Sequence, residues 1–203
     1  MLDLGVLISG RGSNLQAILD AVAESRLDAR VRLVLSNRRR ALGLEHASAA
    51  GVATRVISHR RYDDRASFDR AMVDALREAG VEWVVLAGFM RVVTPVFLDA
   101  FPGRVLNIHP SLLPSFPGVD AQRQALEHGV KVAGCTVHLV DAGVDSGPIL
   151  AQAAVPVLDG DDRDRLAERI LAEEHRLLVN TLQAIAAGQL DAAKASVDTP
   201  LGT

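Results

Sequence analysis

Three groups of side chains in this sequence have the types and spacings that chemistry requires. Asn107-Ile108-His109-Pro110-Ser111-Leu112-Leu113-Pro114 is the first. Residues two apart in an extended chain point to one side, so Asn107 and His109 face a common space, and Pro110 favours extended backbone at His109. An amide donor and an imidazole aimed at one point can hold a developing oxyanion while the imidazole moves a proton. The second group, Asp141-Ala142-Gly143-Val144-Asp145-Ser146-Gly147-Pro148, offers two carboxylates. Either one, set against His109, would orient the imidazole and favour its cation. Spacing does not choose between Asp141 and Asp145, and Asp and Gly also build ordinary turns.

Gly10-Arg11-Gly12-Ser13-Asn14 is the third group, placed after an apolar run and before an amphipathic one. Glycines let the backbone turn sharply, and the free N–H groups of a helix start attract an anion. A dinucleotide fingerprint would need Gly where Leu15 stands and an acidic residue where the next strand ends Ser36-Asn37-Arg38. The Walker-type lysine is absent too, so a single phosphate group fits best. A capping box of Ser13 and Gln16 that binds nothing is the competing reading.

The remaining side chains exclude more than they offer. His46, His59 and His128 read as solvated surface residues, and His138 alternates within a strand as a core histidine or a support to the site. No pair has metal-motif spacing, so no metal is expected. Cys135 is the only cysteine, which rules out an internal disulfide and a thiolate zinc site. A formal net charge of −3 provides no general basic field for nucleic acid or an anionic membrane, so any phosphate contact must be local. The apolar run Val84 to Met90 is too short to span a bilayer, and the first residues do not read as a signal peptide. A cytoplasmic location is expected. A homodimer stays open, because an exposed apolar face cannot be identified from sequence.

Positioning those groups requires a scaffold, and the hydrophobic pattern describes one. Leu4–Ile8, Val31–Leu35, Ala53–Ile57, Trp83–Ala87 and Val105–Ile108 read as strands, and Asn14–Glu24, Leu44–Ala50 and Ser67–Ala79 as helices between them. Thr94 and Pro95 mark another helix start. This alternation predicts an α/β fold with a doubly wound, mostly parallel sheet. After a short helix over Gln122–His128, Ala133–Val140 and Pro148–Val157 read as an antiparallel pair extending the sheet. Asp164–Ala187 reads as a long amphipathic helix. Residues 1–190 are expected to form one Rossmann-like domain, with 191–203 a polar tail, frayed or loosely docked.

SGRGSNLQAI, VVLAGFMR, LNIHPSLLPSFPG and VDSGPIL, in this order, resemble the phosphoribosylglycinamide formyltransferases, a branch of the folate-dependent formyltransferase family. The resemblance runs from about residue 4 to about residue 190. It implies transfer of a formyl group from 10-formyltetrahydrofolate to the amine of glycinamide ribonucleotide, in de novo purine (IMP) biosynthesis. It implies Asn107, His109 and Asp145 as the catalytic group, so that Asp145 is chosen over Asp141. Gly12, Ser13 and Asn14 are implied as the phosphate loop and Glu174 as a further contact to the ribonucleotide. Arg65, Met90, Arg91, Val92 and Val93, with Asn107, are implied as folate contacts, several through main chain. Members often carry a histidine shortly after the Pro-Gly matching Pro117-Gly118, where this chain has Asp120. A formyltetrahydrofolate deformylase shares the Asn/His/Asp group but needs no phosphate loop. A methionyl-tRNA formyltransferase normally adds a basic carboxyl-terminal domain, and this chain ends earlier and more acidic. A non-catalytic protein binding a phosphorylated metabolite would have no use for all three catalytic residues.

Overall fold

A computed structural model describes residues 1–190; the expected tail 191–203 lies outside the described residues. Seven strands form one sheet in the order β3-β2-β1-β4-β5-β6-β7. β1 (Leu2–Ile8), β2 (Ala29–Ser36), β3 (Thr54–Val56), β4 (Trp83–Leu86) and β5 (Val105–His109) are parallel. β6 (Val132–Leu139) and β7 (Ile149–Pro156) add to the β5 edge antiparallel. The helices are α1 (Ser13–Ala23), α2 (Gly43–Ala49), α3 (Arg65–Glu78), α4 (Pro95–Ala100), α5 (Ala121–His128) and α6 (Arg163–Ala186). The expected elements are all present, with ends shifted by one or two residues.

Alternation along the central strands sends side chains to two cores. Leu4, Val6 and Ile8 of β1 and Leu106 and Ile108 of β5 pack under α1 and α6, with Leu15, Ile18, Leu166, Ile170 and Leu178. Leu7, Val84, Leu86 and Val105 point the other way, onto Phe68, Met72 and Leu76 of α3 and Phe97 of α4. Burying both faces explains why these strands read as continuous apolar runs. The chain winds outward from β1 to β3, then restarts at β4 on the other side of β1. That reversal opens a crevice at the carboxyl ends of β1 and β4, the usual ligand position in such sheets.

Two glycines are required by close geometry. Gly12 caps α1 with φ of 76°, and a Cβ there would press on the backbone of Gly43 in α2. Gly147 lies so near the Leu139 carbonyl that no side chain fits, which lets the Asp141–Pro148 turn close between β6 and β7. Among the described residues no helix is long and apolar enough to cross a membrane. Burial pushes the Cys135 thiol up to about 12, with Glu174 and Glu173 adding to the effect, so this thiol is not a nucleophile at neutral pH.

Candidate active site

His109 is the last residue of β5, and Asn107 stands two before it on the same face. Both are turned to the α3/α4 side, away from Leu106 and Ile108. The neighbouring strand runs antiparallel, with Asn107 opposite His138 and His109 opposite Thr136. Asp145 arrives from the β6–β7 turn. Its Oδ2 lies 3.3 Å from His109 Nδ1, and its Oδ1 accepts from Asn107 Nδ2 at 3.3 Å. The expected convergence of Asn107, His109 and Asp145 is therefore present. Asp141, the sequence's other candidate, accepts instead from Gly143 N–H at 3.0 Å and the Ser146 hydroxyl at 2.8 Å, and so builds the turn.

Both nitrogens of His109 face acceptors. Nε2 lies 2.9 Å from the Phe116 carbonyl and Nδ1 faces the Asp145 carboxylate. Nδ1 and the Asp145 carboxylate form an ion pair when the imidazole carries both protons. Asp145 has φ of 52°, a left-handed conformation that Asp tolerates better than most residues, and it accepts Gly118 N–H at 2.8 Å. Burial works to raise the Asp145 carboxyl, but the His138 ring, Gly118 N–H and His109 together hold it below the usual value. His138 is more than a core histidine. Its Nδ1 donates to the Leu139 carbonyl at 2.8 Å, leaving Nε2 to accept from Asn107 Nδ2 at 3.1 Å. Asn107 Nδ2 thus already has acceptors for both hydrogens, and the longer bond, to Asp145, is the one an incoming oxygen could most readily replace.

The glycine loop leaves β1 on the same edge of the sheet, two strands from β5, or roughly 10 Å at the usual strand spacing. The capping-box reading fails. Gly12 is the N-cap, Ser13 opens the helix, and no side chain caps the first turn. The N–H groups of that turn are thus free for an anion. Asn14 Nδ2 donates to Glu174 Oε2 at 2.8 Å across from α6, while Asn14 Oδ1 is buried without a partner. Burial raises the Glu174 carboxyl against the Asn14 hydrogen bond. A groove of about 550 Å³ begins at Ser13 and runs between α1 and α6 past His46, His175 and Arg176. Sequence reading passed over His175, whose Nε2 is buried and unpartnered, an accident of α6 packing that no motif signals.

The segment after β4 lies between these two places. Ser9 Oγ accepts Met90 N–H at 2.9 Å and donates to Asn37 Oδ1 at 2.8 Å, pinning the loop across the crevice. Met90 and Val92 are exposed and Arg91 is half-buried, whereas Val93 is buried in the α3/α4 core and offers only backbone. Arg65 is exposed at the start of α3, where Asp64 Oδ1 accepts Ser67 N–H at 2.7 Å. Asp69, one turn on and 1% exposed, accepts Thr94 N–H at 2.6 Å and so fixes the far end of the 88–94 loop. Asp120 is paired with Arg163 at 2.7 Å and Arg123 at 3.2 Å.

A family model described as formyl transferase matches residues 3–182. The chain is 48% identical over 185 residues to the trifunctional purine biosynthetic protein adenosine-3 of Homo sapiens, covering 91% of this chain and 18% of that protein. It is 43% identical over 189 residues to the phosphoribosylglycinamide formyltransferase of Escherichia coli (strain K12), covering 93% of this chain and 89% of that one. The crystal structure of glycinamide ribonucleotide transformylase 1 from Symbiobacterium toebii matches with a TM-score of 0.93 and 57% identity, over 94% of this chain and 90% of that chain. The chain spans less than a fifth of the length of the trifunctional relatives.

Proposed function

The chain belongs to the formyl transferase family, and from that premise we propose that it moves a formyl group from 10-formyltetrahydrofolate to the amine of glycinamide ribonucleotide in purine biosynthesis. The observation that carries this reading is the meeting of Asn107, His109 and Asp145 at the carboxyl end of β5, two strands from an uncapped helix start.

In this reaction the amine lone pair adds to the formyl carbon, and the carbonyl electrons move onto oxygen. Asn107 takes the oxyanion in exchange for its 3.3 Å bond to Asp145, and cationic His109 donates the second hydrogen bond from Nε2 in exchange for its 2.9 Å contact with the Phe116 carbonyl, keeping Nδ1 on Asp145. Collapse breaks the bond to N10 of the folate. The attacking nitrogen loses one proton and N10 gains one, with His109 as the carrier and Asp145 holding its charge. His138 keeps Asn107 turned toward the reacting carbon. The free N–H groups of Gly12, Ser13 and Asn14 hold the ribonucleotide phosphate, and Glu174 the sugar side of the same substrate. Arg65, Met90, Arg91 and the backbone of Val92 and Val93 line the folate. The reaction is carried out within one domain, residues 1–190, with no metal, whether the protein acts as a monomer or a homodimer.

The test mixes the protein with 10-formyltetrahydrofolate, with and without glycinamide ribonucleotide, and follows tetrahydrofolate. Release that depends on the acceptor supports transfer. Release without it converts the reading to a deformylase, and binding without release to a metabolite-binding protein.

A further inference from the structure

The Ser9 hydroxyl makes hydrogen bonds that the sheet itself does not need. β1 and β4 are already joined along Leu4–Leu7 and Trp83–Leu86, and just past that register Ser9 N–H donates to the Gly88 carbonyl at 3.1 Å. The hydroxyl reaches further, accepting Met90 N–H at 2.9 Å, and Met90 is 64% exposed. That bond therefore holds the loop after β4 rather than the strands. A hydroxyl has a single hydrogen, and Ser9 gives it to Asn37 Oδ1 at 2.8 Å, which turns a lone pair toward Met90. Ser9 and Asn37 are both buried, so neither side chain is open to a substrate.

The glycine loop begins at the next residue. The Gly10 carbonyl accepts Gly43 N–H at 3.2 Å, and Gly12 lies against Gly43 so closely that a Cβ would not fit. Residues 9–12 are thus braced along one side by α2. Side chains hold the loop after β4 at both ends, Ser9 at Met90 and Asp69 at Thr94, the latter at 2.6 Å. These two anchors lead to different places. Asp69 belongs to α3, whose apolar residues pack on the opposite face of the sheet from those of α1. Ser9 leads straight into the start of α1.

We propose that Ser9 is a positioning residue that couples the two substrate sites, so that each substrate tightens the binding of the other. Resting on the reading above, the glycine loop holds the ribonucleotide phosphate and residues 90–93 line the folate. A phosphate on the N–H groups of Gly12, Ser13 and Asn14 fixes the loop backbone and Ser9 with it. A fixed Ser9 keeps its lone pair on Met90 N–H and orders the folate loop before the folate arrives. The second ligand then loses less conformational freedom than the first, and by linkage the effect is the same in either order. Alanine at position 9 leaves Met90 N–H and Asn37 Oδ1 without their shared partner and cuts this path.

Calorimetry with glycinamide ribonucleotide and tetrahydrofolate, which has no formyl group to transfer, reads the coupling without turnover. Saturating tetrahydrofolate should tighten ribonucleotide binding at least about fivefold, and saturating ribonucleotide should tighten tetrahydrofolate by the same factor. In Ser9→Ala that factor should fall below about twofold while each ligand still binds alone. Asp69→Asn weakens the other anchor, and should weaken tetrahydrofolate at least about twofold while keeping the coupling factor. Hydrogen exchange gives a second reading in the unaltered protein. Ribonucleotide alone should slow exchange of the Met90 amide at least about threefold and leave the Thr94 amide unchanged. A coupling factor near one in the unaltered protein, a factor unchanged by Ser9→Ala, or an equal loss in Asp69→Asn overturns the proposal. So does a Met90 amide that the ribonucleotide does not slow, a result that decides even where Ser9→Ala fails to fold. If neither ligand binds, the functional reading itself falls; if both bind independently of each other, only the coupling does.

Discussion

At the scale of single residues, the site is a set of hydrogen bonds with little slack. Asn107 Nδ2 serves His138 and Asp145, and His109 is held between Asp145 and the Phe116 carbonyl. Loss of one oxyanion donor typically costs about 10² to 10³ in turnover. Asn107→Ala and His109→Ala should therefore fold with unchanged circular dichroism and lose at least about that factor in kcat. A His109→Ala enzyme of normal kcat would remove the imidazole from the mechanism. Asp145 carries a pH signature as well. Its folded pKa is depressed, so the stability that its ionised form contributes is complete above the unfolded carboxyl value, about 3.9, and is lost as pH falls through the lower folded value. Urea denaturation should therefore show Asp145→Asn less stable than the parent at pH 7 and the gap closing toward about pH 3. A constant gap across that range would mean the carboxylate is not preferentially stabilised by its neighbours.

At the scale of elements, α1 joins packing to binding through Gly12. Alanine there would hold a left-handed conformation, costing about 1–2 kcal/mol, and would press its Cβ on α2. Gly12→Ala should lower the melting temperature and raise KM for glycinamide ribonucleotide more than KM for the folate; an equal rise in both would detach the loop from the phosphate. Strands and helices were legible in the sequence because their apolar spacing is strong and both sheet faces are covered. What escaped is what depends on register or on distant partners. His138 meets Asn107 only because β6 pairs antiparallel with β5 in that register, which alternation along one strand cannot reveal. Asp120 faces Arg163, 43 residues away, at the start of α6. His59 read as solvated, but α3 sets Phe68 6.1 Å from its ring and buries one nitrogen. The choice between Asp141 and Asp145 likewise required the turn itself, which sends one carboxylate to Gly143 and Ser146 and the other to His109.

At the scale of the whole molecule, α6 ties the β6–β7 extension back to the start of α1, and the tie runs through a buried carboxyl. Glu174 is 7% exposed and bonded to Asn14, and burial raises its pKa in the folded chain. The sign is then opposite to that of Asp145. Below the unfolded glutamate value, about 4.3, both states are protonated; above it the unfolded chain releases its proton first, and stability is lost as pH rises through the folded value. Carrying an acid at this position thus costs the fold stability at neutral pH, which is reasonable if the carboxyl is needed by the ribonucleotide. Glu174→Gln keeps an oxygen for Asn14 Nδ2 and cannot ionise. Thermal melts should show the variant near the parent at about pH 4 and more stable than it as pH rises, the gap levelling off above the folded value, while its KM for glycinamide ribonucleotide rises and its KM for the folate does not. A variant less stable at every pH would show that the ionised carboxylate holds α1 and α6 together, and an unchanged ribonucleotide KM would leave Glu174 as a packing residue.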